Sequence, residues 1–174
     1  SPAAAVPGWV GSGARGGGGE WARGAGGATP VSAGSSSGTP GGAAANVALN
    51  TRGAATVSGA VGTDVGTLTI TKSGGATFQS TVDAATIAIT DTAAAQTVAF
   101  QGNTNATTGM TVAAGTAAYN LSLTGTANTI AGATMFNNTG TLALGNGAAD
   151  TVTLTGGLVA TTPGLVNVGG TLNT

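Results

Sequence analysis

The segment Gly140-Thr141-Leu142-Ala143-Leu144-Gly145-Asn146-Gly147-Ala148-Ala149-Asp150-Thr151-Val152-Thr153-Leu154-Thr155-Gly156-Gly157 contains one short phrase twice. Two apolar residues flank a small or polar one in Leu142-Ala143-Leu144 and again in Val152-Thr153-Leu154, and the residues between them turn a chain at little cost. Alternation over so few positions is the period of a β-strand with one face buried. The same triplet stands at Leu68-Thr69-Ile70, Ile87-Ala88-Ile89, Val98-Ala99-Phe100, Met110-Thr111-Val112, Leu121-Ser122-Leu123 and Val166-Asn167-Val168, at intervals of about ten to twelve residues or twice that. The chain therefore reads as many short strands in series, with no helices between them.

Several triplets sit in a wider frame with Thr on either side: TLTIT at 67–71, TIAIT at 86–90 and TVTLT at 151–155, with NLSLT at 120–124 as a variant. In such a frame the apolar pair points inward and Thr faces out, where β-branching suits the pleat. Gly and Asn recur in the connectors, as in Ser73-Gly74-Gly75, Gly102-Asn103 and Gly145-Asn146-Gly147, and both reach left-handed backbone angles cheaply. Strands of three to five residues with such corners predict a right-handed parallel β-helix, a β-solenoid, with about two strands per coil of about 20–24 residues. About five or six coils follow from Ala54 onward, a stack of roughly 25–30 Å at the interstrand distance. An antiparallel β-sandwich is the alternative, although its strands are usually longer and its core residues larger.

Composition narrows the function. Charged residues make up 5% of the 174-residue chain and the net charge is −1, so no basic stripe exists to neutralise phosphates and nucleic-acid binding is excluded as an expectation. Aromatic residues are 3%, which leaves few platforms for stacking on bases or sugars. With no His and no Cys there is no imidazole base, thiol nucleophile, thiolate metal site or disulfide, and a Cys-free chain fits an extracellular bacterial protein. No apolar run approaches the roughly 20 residues of a membrane helix. The opening Ser1-Pro2-Ala3-Ala4-Ala5 reads as a processed or excised piece from which any export signal has gone.

The texture changes between about residues 46 and 53. Residues 1–53 read as a Gly/Ala/Ser/Pro-rich arm, flexible or docking, and residues 54–174 as the solenoid domain. The arm includes the spacer Gly16-Gly17-Gly18-Gly19 and both tryptophans, Trp9 and Trp21. Either these indoles dock the arm onto a neighbouring coil or subunit, or they are incidental to a low-complexity leader.

The segments VGTLTITKSGGATF (65–78), GTLALGNGAADTVTLTGG (140–157) and GLVNVGGTLNT (164–174) resemble the β-strand repeats of bacterial autotransporter adhesin passengers and of S-layer-like surface proteins of the rickettsial outer-membrane type. That resemblance covers residues 54–174 and implies a secreted, repetitive, cell-surface protein forming a coat, a fibre or an adhesive stalk.

Candidate chemistry is sparse. Asp64, Asp83, Asp91 and Asp150 are scattered along the repeats, with Lys72 the only base among them, so the chain is not expected to be an enzyme and each Asp reads as a solvated turn residue. Gly145-Asn146-Gly147-Ala148-Ala149-Asp150-Thr151-Val152-Thr153 partly matches the calcium-binding nonapeptide, which makes Asp150 with Asn146 the one metal candidate and a structural turn the plainer account. No cofactor is otherwise expected. Asn105, Asn120 and Asn137 head glycosylation-type triplets.

A solenoid ends in unpaired backbone and bare apolar faces unless something covers them. Residues 165–174 look like another repeat and not like a polar cap, so Val166, Val168 and Leu172 join Trp9 and Trp21 as assembly candidates. The expected function is a structural extracellular protein that self-assembles into a surface layer or filament by β-stacking, on itself or on the rest of a longer repeat chain. The alternative is an adhesin stalk that binds a surface glycan or host receptor.

Overall fold

The computed structural model describes residues 19–23, 31–33, 36–37 and 44–174, which contain strands and no helix. In chain order the strands are β1 (Gly19–Arg23), β2 (Val31–Ala33), β3 (Ser36–Ser37), β4 (Ala45–Asn50), β5 (Ala55–Val57), β6 (Val61–Lys72), β7 (Ala76–Phe78), β8 (Val82–Ile89) and β9 (Thr97–Phe100). They continue as β10 (Thr104–Val112), β11 (Asn120–Leu123), β12 (Ala127–Ile130), β13 (Thr134–Met135), β14 (Thr141–Leu144), β15 (Thr151–Leu154), β16 (Leu158–Val159), β17 (Leu165–Val168) and β18 (Thr171–Asn173).

One sheet runs β1-β4-β6-β8-β10-β12-β15-β18, with β3 also on β6; a second runs β17-β14-β11-β9-β7-β5-β2; β13 and β16 form a third. Every pair among the described residues is parallel, so the chain leaves a sheet, crosses to another and returns one rung further on. This is the right-handed parallel β-helix, of about six turns, and it excludes the sandwich. Val98, Leu121, Leu142 and Val166 stand one above the next, each apolar pair landing on the pair of the coil before.

Each coil has three inward-facing stretches where the sequence suggested two. In β8, Val82 and Ala84 are buried, then Ile87 and Ile89, and the alternation slips by one residue across Ala85–Thr86. Such a slip turns a strand through a corner, so one long strand lines two walls. β6 and β10 share the corner, with register shifts between Val61 and Val65 and between Ala106 and Gly109. The first wall continues in β12, β15 and β18; the second passes to β13 and β16 through the single bridge Val112–Phe136. The sequence hid the first wall in β8 and β10 because Ala84, Thr104 and Ala106 are small or polar and none completes a strong apolar triplet, whereas in β15 the triplet Val152-Thr153-Leu154 marks it.

The stack also reaches back before residue 54. β4 pairs with β6, and its Ala45, Val47 and Leu49 are buried with the rest of the core. The backbones of β1 and β2 pair in turn with β4 and β5.

Columns of like residues make the interior: Leu68, Ile87 and Met110 in one, Ile70, Ile89, Val112 and Phe136 in another, all buried. Burying each such side chain contributes about 1.5–3 kcal/mol. Corners need glycine for two reasons. A Cβ at Gly125 would meet the Gly102 carbonyl oxygen at 2.4 Å, because the corner backbones lie directly on one another, and Gly145 has a φ of +76°. Among the described residues only glycines take positive φ. The corner asparagines act instead through their side chains: Asn46 Oδ1 accepts the Thr67 N–H, Asn103 Oδ1 the Ala127 N–H and Asn120 Oδ1 the Thr141 N–H, each from the next coil.

Candidate functional site

Among the described residues, β16, β17 and β18 form a rung that pairs on one side only, with β13, β14 and β15 respectively. Val166 and Val168 lie in register over Leu142 and Leu144, yet they are 38% and 50% exposed where the residues beneath them are fully buried. Leu165 is exposed beside them, and Leu172 packs only partly against the core. The rung thus presents apolar side chains together with a row of unpaired backbone groups, the combination a further strand satisfies.

Of the assembly candidates, the structure brings Val166, Val168 and Leu172 together on this rung. Trp21 lies in β1, the strand at the opposite end of the first sheet, at a register shift between Glu20 and Ala22 against β4. Trp9 lies outside the described residues. Two residues the sequence reading passed over, Met135 and Val159, are exposed on the outer side of the third sheet. Beside them, where the ladder narrows to the Val112–Phe136 bridge, lies an open groove of about 350 Å³ lined in part by Met110, Thr111, Met135 and Asn137. The signal for both residues was present, since each occupies the outward place of its strand where other coils carry Thr or Ala.

A second feature holds three consecutive coils together at one corner. Asp91 is 8% exposed and not a solvated turn residue. Its Oδ1 accepts the N–H groups of Thr116 and Ala117 at 3.1 and 3.2 Å; its Oδ2 accepts the Thr116 hydroxyl at 2.7 Å and the Lys72 ammonium at 3.4 Å. Burial pushes the Asp91 pKa up, but the hydrogen bonds from the Thr116 hydroxyl and from the Ala117, Thr116 and Thr92 N–H groups outweigh it and bring it from 3.8 to about 2. Tyr119 closes the same loop by donating its hydroxyl to the Ala113 carbonyl, and burial, then the Asp91 charge, raise its pKa so that it stays a donor.

Asp150 and Asn146 are indeed neighbours, but as a turn. Asp150 Oδ2 accepts the Asn146 and Gly147 N–H groups, both at 2.9 Å. An oxygen aimed at two N–H donors is directed at positive hydrogens and away from a cation. Among the described residues no three acidic side chains gather in a group that could hold a metal ion. Asp83 accepts from Asn105 Nδ2 at 3.2 Å, and Asp64 lies within β6. Asn120 is engaged at both ends of its amide, with Thr141 and Thr97.

Comparison with protein-family models, with curated proteins and with solved structures finds no match. The functional reading therefore rests on the geometry of the rod and its open rung.

Proposed function

We propose that this chain is a structural protein of the bacterial cell surface that builds an extracellular layer or filament by coil-on-coil β-stacking. The observation that carries the reading is the rung of Val166 and Val168, aligned with the buried column beneath and paired on its other face with no described strand. A further coil, from a second copy or from more repeat of the same kind, completes both the apolar column and the backbone ladder. A charge content of 5% leaves little electrostatic repulsion to oppose that contact. The absence of cysteine and the resemblance of residues 54–174 to surface-protein repeats support a place outside the cell, and the interior of aliphatic columns supports a mechanical role over a catalytic one. Electron microscopy of the purified chain at rising concentration tests the reading: ordered filaments or sheets are expected, and a monodisperse short rod at every concentration would reject it.

The adhesin reading has one observation in its favour. On the outer side of the first wall Asp83, Asn105, Thr129, Thr153 and Asn173 stand in register, a polar ladder able to meet sugar hydroxyls. A glycan array read with the monomeric rod separates the two: specific binding without assembly supports the stalk, and an empty array removes it.

A further inference from the structure

Asn146-Gly147 is the one Asn–Gly step in the sequence. That step is chemically the most open to succinimide closure, because glycine has no side chain to hinder attack of its backbone nitrogen on the preceding carboxamide. Asn146 is exposed, so its carboxamide is reachable by water. What stands against the reaction is Asp150, 6% exposed, whose Oδ2 takes the N–H of Asn146 and that of Gly147, the would-be nucleophile, at 2.9 Å each. The last coil rests on this turn. Thr171 donates its N–H to the Asp150 carbonyl at 2.8 Å, Gly169 to the Leu144 carbonyl at 2.9 Å, and a Cβ at Gly170 would lie 2.7 Å from the Gly147 oxygen.

We infer that Asn146 is a self-modification site held in check by Asp150, and that its conversion to isoaspartate releases the last coil of the stack. In the reaction the Gly147 nitrogen loses its proton to solvent and bonds to Asn146 Cγ; the Cγ–Nδ2 bond breaks and ammonia leaves, taking a proton back from solvent. Water then opens the five-membered ring at either carbonyl, leaving aspartate or isoaspartate, and no other reactant is needed. Asp150 opposes the first step in two ways. Its negative charge disfavours removal of the proton it accepts, and its paired hydrogen bonds pin the nitrogen in the turn. In the isoaspartyl product the backbone runs through the former side chain and gains a methylene between Gly145 and Gly147. The Gly147 and Asp150 carbonyls, which underlie Gly170 and Thr171, are displaced with it.

The test compares the wild-type chain with Asp150→Ala, Asp150→Asn and Asp150→Ala/Gly147→Ala after incubation at neutral pH, following Asn146 by peptide mapping with isoaspartate detection. Asp150→Ala is expected to convert roughly tenfold faster than wild type, the loss of a charge-assisted hydrogen bond, and Asp150→Asn, which keeps the shape of the side chain, is also expected to be faster. The added Gly147→Ala restores slow conversion, as it must if the nitrogen of residue 147 is the nucleophile, and exchange protection kept over 121–123 in the Asp150 variants separates the turn chemistry from general unfolding. Hydrogen exchange on converted wild-type protein is expected to show protection lost over residues 165–173 and kept over 121–123. Equal or slower conversion in both Asp150 variants, or full protection of 165–173 after conversion, would overturn the inference.

Discussion

Phe100 lies flat on Phe78 one coil away, with ring centroids 4.8 Å apart and planes 6° from parallel. The separation is that of neighbouring strands, so the rings stack because the backbone ladder sets them there. Phe100→Ala is expected to lower unfolding stability by about 3–5 kcal/mol in denaturant titration, since neighbours fixed by the ladder cannot collapse into the space. Phe100→Leu, which keeps most of the volume, loses less. Equal losses for the two would mean that the column does not depend on fill.

The corner at Gly125 gives a prediction of the opposite kind, a site that cannot accept one more carbon. Gly125→Ala sets a methyl against the rigid backbone of Gly102 and is expected to destabilise by about 1–3 kcal/mol. Gly62→Ala, where an added Cβ meets nothing within 4 Å, is the control and leaves the thermal midpoint unchanged or slightly raised.

Asp91 makes the fold sensitive to acid. Its pKa is lower in the fold, about 2, than its ordinary 3.8, so the unfolded chain binds the proton more tightly and protonation favours unfolding. The stabilisation is complete above about pH 4 and disappears as pH falls through 2. Thermal midpoints measured from pH 5 to pH 2 should therefore drop for the wild type. Asp91→Asn should be less stable at neutral pH and flatter with acid, and parallel curves for the two would show that the corner does not depend on this carboxylate.

Assembly should respond to charge placed on the open rung. Val166→Asp and Val168→Asp put a carboxylate where stacking would bury it, yet both sites are partly exposed in the single chain, which should still fold. The expected outcome is unchanged circular dichroism and an assembly threshold raised roughly tenfold or more, read by light scattering and microscopy. Unaltered assembly would move the contact elsewhere, with the Met135–Val159 strip as the next surface to alter.

The apolar triplets made the second wall and the second sheet readable from the sequence: Ile87–Ile89, Leu142–Leu144 and Val166–Val168 lie in strands where the pattern placed them. Val82–Ala84 and Thr104–Ala106 escaped because only one of their four inward positions, Val82, is strongly apolar; Ala84, Thr104 and Ala106 are buried by the strands around them and not by hydrophobicity of their own. β4 escaped for a related reason, since Ala45, Val47 and Leu49 lie where the low-complexity texture is still fading. The open rung could be read from residues 165–172. The Asp91 hub could not: Thr116 and Ala117 reach it from about one coil further along, and a contact at that distance is fixed by corner lengths that spacing gives only as an average. Asp150 and Asn146 were close enough in sequence for their meeting to be foreseen, but which atoms meet depends on the turn they build.

Because every ladder runs parallel and every coil lays its pairs on those beneath, length in this architecture comes in whole steps. Gain or loss of one full coil, about two dozen residues, lengthens or shortens the rod by one interstrand distance and leaves its cross-section and outer pattern intact. Gain or loss of a single residue within a strand instead sets threonines inward and leucines outward from that point to the next corner. A gene for such a protein can therefore tolerate recombination between repeats while penalising small insertions, and natural variants are expected to differ in the number of coils far more than in their shape.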